Sequence, residues 1–133
     1  MAIPLEDLEI YHLAKAISSA AWEIYGTIPS EHKYKLGQQF LSAADSVGAN
    51  ICEGYGRYHY LDAVRFYYYS RGSLFETKWW ISSLEERKLI SPEKAIELIK
   101  NIKNLGVKLN NFITQIKKQA NTIKTINQPL NNY

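Results

Sequence analysis

The residue types best equipped for chemistry gather in one stretch, Asn50-Ile51-Cys52-Glu53-Gly54-Tyr55-Gly56-Arg57, which holds the only cysteine, a carboxylate, a Gly-x-Gly pair and an arginine. Three chemistries use such groups: thiolate metal ligation, a phosphate-binding turn, and a nucleophile served by a base. None finds the rest of its set. Cys52 has no second Cys or His at ligand spacing, so a small buried hydrophobe is the simpler expectation. Folding could bring His59 to Cys52 as a base, but no third group and no oxyanion device accompanies the pair. Gly54-x-Gly56 lacks the remainder of both the Walker loop and the dinucleotide fingerprint, and it follows a helical pattern where those motifs follow a strand. Glycines at such a point more simply supply the positive φ that closes a helix and reverses the chain. Elsewhere, Glu9-Ile10-Tyr11-His12 is one Glu-x-x-His, the half-motif of di-iron bundles, yet neither His32 nor His59 has an acid three residues before it. No catalytic residue, metal or cofactor is expected.

The elements that must position these residues are helices. From Leu5 to Tyr25, apolar residues such as Leu8, Leu13, Ile17, Ala21 and Ile24 recur at spacings of three and four, and Gly26 and Pro29 end the run. A second helix starts between Ser30 and Lys33 and carries Tyr34, Phe40, Leu41, Ala44, Val47 and Ile51 to Gly54-x-Gly56. The third, Tyr60 to about Arg87, is apolar on most sides, which predicts burial on most sides and a second subunit against it, with Phe66, Tyr69, Trp79 and Trp80 as interface candidates. The fourth opens at Ser91-Pro92-Glu93, a cap, a proline at the first helical position and an acid in the first turn. Short turns between long helices predict an all-α, antiparallel up-down-up-down four-helix bundle over 1–120, with a polar tail over 121–133.

Charge divides along the chain. Residues 1–93 carry nine Lys/Arg against twelve Asp/Glu, net −3; residues 94–133 carry seven lysines against Glu97 alone, net +6. On a helical wheel Lys100, Lys103, Lys108 and Lys118 fall away from the apolar stripe of the fourth helix, a basic face suited to polyanions or to an acidic partner. Polar residues within apolar surroundings, among them Asn50, Glu53, Arg57, Arg65, Arg71 and Glu76, predict either an ion-pair network linking Glu53 or Glu76 to an arginine, or long side chains reaching past aromatics to water. The start, MAIPLEDLEIYHLAK, has neither a basic n-region nor an unbroken apolar run, and no window approaches a membrane span. With a single cysteine, a cytoplasmic protein with no membrane partner is expected.

Asn50-Ile51-x-Glu53-Gly54-x-Gly56-Arg57, followed by Phe66 and then by Arg71-Gly72-Ser73-Leu74-x-Glu76, resembles the signature of the bacterial four-helix-bundle family of 23S rRNA intervening-sequence proteins, over about Leu8 to Lys118. The chain departs from that pattern at Gly48, where a proline is common nearby, at Cys52, and at His59, where a Ser cap is usual. The resemblance implies an antiparallel bundle, assembled as a barrel-like homopentamer, with no enzymatic activity. A similar bundle serves as the accessory protein of diversity-generating retroelements, whose basic surface binds nucleic acid and a reverse transcriptase. Together these observations predict a non-catalytic, oligomeric bundle that binds RNA or DNA through the lysines of the last helix. The alternative is a protein-interaction module with no nucleic-acid affinity.

Overall fold

The computed structural model describes residues 3–127, and side chains as far as residue 123. A 3-10 turn, Leu5–Asp7, precedes α1, Glu9–Thr27. Helix therefore begins later than the apolar period suggests, because Leu8 is extended (φ −76°, ψ 129°) and seats its own side chain on the core. Past Gly26 the helix gains one more turn-end residue, and Ile28 is again extended, as the residue before a proline is biased to be. Ser30–His32, the π-helical turn Lys33–Gly37 and Gln38–Tyr55 run together as α2. Tyr60–Glu86 forms α3 and Pro92–Asn127 forms α4, so helix continues beyond residue 120, where the sequence suggested a tail; residues 128–133 of that tail lie outside the described residues.

Each helix packs on its chain neighbours, and α4 returns to α1, giving the up-down-up-down four-helix bundle that the periodicities predict. Ile17 of α1, Phe40 and Ile51 of α2, Ile81 and Leu84 of α3, and Leu105 and Leu109 of α4 are fully buried at the centre. Among the described residues no helix is long and apolar enough to cross a membrane.

The corners differ from expectation in one respect. No described glycine has positive φ; the α2 terminus closes at Gly56 with φ −77°, and Arg57 donates its backbone N–H to the carbonyl of Gly54. Among the described residues the one left-handed residue is Lys88 (φ 60°), between α3 and α4, where the N–H of Leu89 caps the carbonyl of Leu84. At the far end of the same corner the Ser91 hydroxyl accepts the N–H of Lys94 at 3.2 Å and donates to Glu93 at 3.0 Å. The Glu93 backbone amide and then Ser91 hold that carboxyl below its usual range. Ser91→Ala is expected to cost about 1 kcal/mol, seen as a lower urea midpoint at unchanged slope; an unchanged midpoint would show the cap to be idle.

Candidate nucleic-acid interface and oligomer face

The corner stretch is structural. Gly54 is buried inside α2, and a Cβ there would lie 2.6 Å from Tyr67 Cε1, so the glycine is required by a ring on α3 and not by backbone conformation. Tyr67 in turn meets Phe112 of α4 edge-on at 5.1 Å, and burial pushes its phenol up to about 12. Cys52, expected as a buried hydrophobe, is exposed: it lies on the solvent side of α2, one position round from buried Ile51. Asn50 donates to the carbonyl of Ser46 within its own helix, at 2.9 Å.

Glu53 meets Arg57 at 3.1 Å, within its own subunit, which answers in part the expectation of a network. Arg57 also approaches Asp62 at 3.9 Å, and Asp62 holds Arg65 at 2.8 Å. Both guanidinium groups lie over Phe66, 4.3 and 4.8 Å from its centroid. Asp62, then Tyr69, raise the Arg65 pKa by hydrogen bonding to it. These groups are at the surface, so they clamp the α2–α3 corner in water and are not a buried ionic core. Asp62 was missed in the sequence, although its spacing of three from Arg65 in the first turn of a helix is a recognisable signal. The other two members do not join: Glu76 accepts from Trp80 Nε1 at 3.2 Å, and Arg71 lies 5.8 Å from the Phe75 ring.

On α4, all four candidate lysines are exposed. Lys108 is engaged at 3.3 Å by Glu9 of α1, the acid of the Glu-x-x-His motif. His12 is used by the carbonyl of Glu6. Among the described residues no cluster of three or more metal-ligating side chains occurs. The Glu9–Lys108 pair borders a shallow groove of about 190 Å³ between α1 and α4, below the size of an ordinary ligand pocket. Lys100, Lys103 and Lys118 have no ion-pair partner among the described residues. Lys100 and Lys118 are five turns apart on one face, spanning about 27 Å, with Lys103 about 60° to one side. Lys117, not among the candidates, donates to the Tyr68 hydroxyl at 3.1 Å and ties α4 to α3.

Within one subunit the third helix is not buried on most sides. Phe66 and Trp80 are half-buried within their own subunit, whereas Tyr69 and Trp79 are exposed together with Leu61, Tyr68 and Phe75. The surplus apolar surface is real, but two of its four expected members are used internally.

The family profile of the 23S rRNA-intervening sequence proteins matches residues 6–111. A crystal structure from Bacteroides thetaiotaomicron, of a protein of unknown function from the S23 ribosomal protein family, superimposes with a TM-score of 0.73 at 17% identity, over 78% of this chain and 97% of that one. That likeness supports the fold. No curated protein matches the chain.

Proposed function

The chain belongs to the 23S rRNA-intervening sequence protein family, and on that premise we propose that it is a non-catalytic, homo-oligomeric, cytoplasmic bundle that binds structured RNA through the outer face of α4. The observation that carries this is the row of Lys100, Lys103 and Lys118, exposed and without carboxylate partners among the described residues, on a segment that has no Asp or Glu after Glu97. Three cations along about five helical turns match a phosphate backbone, and their gain comes from released counterions. No base-reading motif accompanies them, so sequence discrimination is small. One copy's affinity is modest, because net charge is only +3 and the first two-thirds of the chain is acidic. An oligomer, pentameric as the resemblance implies, multiplies the lysine row and offsets this by multivalency.

Replacing Lys100, Lys103 and Lys118 together by Glu is expected to weaken binding of a structured RNA about tenfold or more at low salt. Lys108→Gln, which removes a cation already held by Glu9, changes it much less. Fluorescence anisotropy measures both. A triple variant that binds as wild type does overturns the proposal and favours the protein-interaction alternative.

A further inference from the structure

A second apolar stripe runs along α3 that the bundle leaves largely uncovered, Lys117 of α4 reaching only its Tyr68. Leu61, Tyr68 and Phe75 recur every seven residues and Trp79 follows one turn later; they are 64, 40, 63 and 64% exposed. At 100° per residue the four fall within about 40° of one another, well round from the core-facing Tyr67, Leu74 and Ile81. Seven-residue spacing is the pattern of a face that packs on another helix. Taking roughly 200 Å² for each whole side chain, on the order of 500 Å² of apolar surface stands in water. That is near the upper end of what monomers leave exposed, and with a polar rim it approaches the ~800 Å² per partner of a stable contact.

We infer that this ridge docks on the outer face of α2 of a second copy, head to tail. The inference rests on the oligomeric part of the function proposed above and adds which faces meet. Ser42, Asp45, Ala49, Cys52 and Gly56 line that outer face, all exposed and opposite the buried Phe40, Val47 and Ile51. Levels along the bundle are set by contacts inside one copy: the Ser70 hydroxyl donates to the carbonyl of Val47, Arg57 approaches Asp62, and Gly54 faces Tyr67. Copies placed side by side with parallel axes keep those levels. Leu61 then meets the Gly56 turn, Tyr68 meets Ala49 and Cys52, and Phe75 meets Ser42, so each large side chain faces a small one.

Charge agrees with this register. Arg71 borders the ridge with only the Phe75 ring as partner, and Asp45 is exposed with no hydrogen-bond or ion-pair partner among the described residues. The same register puts Arg71 within one turn of the neighbour's Asp45, where two unpaired opposite charges would complete each other. Ridge and receiving face are different surfaces on adjacent helices, so the contact is heterologous. Each copy offers α3 to one neighbour and α2 to the other, an arrangement that makes a ring where the rotation between copies closes.

Cys52 makes the arrangement testable, because the chain has no other thiol. In Tyr68→Cys protein, mild oxidation is expected to give a ladder of covalent multimers on a non-reducing gel, since the introduced thiol meets Cys52 of the neighbour. Wild type, and a Gln115→Cys control on α4, give no ladder. Sedimentation velocity of the reduced proteins supplies the mass. An oligomeric mass without a ladder overturns this interface and leaves the oligomeric proposal standing, whereas a monomeric mass overturns both. A wild-type product that stops at a Cys52-linked dimer also overturns it, in favour of a two-fold contact. As a second arm, Asp45→Arg and Arg71→Asp are each expected to lower the oligomeric mass, and the two together to restore it. Failure of the double variant to recover mass counts against the contact.

Discussion

Replacing Gly54 by alanine is expected to lower stability by about 1–3 kcal/mol, although alanine is the better helix former by about 1 kcal/mol. The glycine sits in the last turn of α2 with no positive φ, so propensity alone argues for the substitution. The opposing term is overlap: the new Cβ would lie 2.6 Å from one Tyr67 ring carbon and 2.9 Å from two more. That ring is not free to move aside, being 2% exposed and held edge-on by Phe112, so α2, α3 and α4 would all have to shift. The check is a double-mutant cycle by chemical denaturation. In a Tyr67→Ala background the same Gly54→Ala change becomes neutral or stabilising, because the ring is gone and only propensity remains. Equal costs in both backgrounds would show that the close approach does not constrain the helix pair.

Two phenylalanines are expected to separate folding from assembly. Phe40→Ala removes a side chain with no exposure at the centre of the bundle and costs about 3–5 kcal/mol, through lost transfer energy and the cavity left behind. Set against a total of roughly 5–15 kcal/mol, that leaves the protein marginal. Phe75→Ala deletes the same atoms from a residue 63% exposed, so the subunit itself changes by about 0.5 kcal/mol or less while the oligomeric mass falls. Denaturation at low protein concentration reads the first effect, and sedimentation across a concentration series reads the second. Comparable losses of subunit stability from the two variants would contradict the assignment of Phe75 to an outer face.

Much of this architecture is legible in the chain. Recurrence at three and four positions places all four helices, and Ser91-Pro92-Glu93 marks the start of α4 by a cap that the structure forms. What escapes is what depends on height and on neighbours. Gly54 looks like a chain-reversing glycine because sequence reports the missing Cβ but not the Tyr67 ring that occupies its place. Cys52 is adjacent to Ile51 in sequence, yet one residue is 100° of rotation, enough to turn it from core to solvent. On α3 the wheel shows several apolar faces and cannot say which one the subunit keeps. Hence Phe66 and Trp80 were grouped with Trp79, while the Leu61–Tyr68–Phe75 stripe was not singled out. The basic face of α4 is the reverse case: its lysines are exposed where the wheel put them, and only the Glu9–Lys108 pair needed the structure.

The proposed function is tested most directly by the salt dependence of RNA affinity. Wild-type protein and a variant with Lys100, Lys103 and Lys118 all changed to Gln are titrated with one structured RNA across a series of salt concentrations. Wild type is expected to weaken steadily as salt rises, and the variant to bind less tightly with a logarithmic slope shallower by about 2 or more, one contribution for each phosphate no longer neutralised. Identical slopes, or wild-type affinity that persists unchanged at high salt, would contradict phosphate binding by α4.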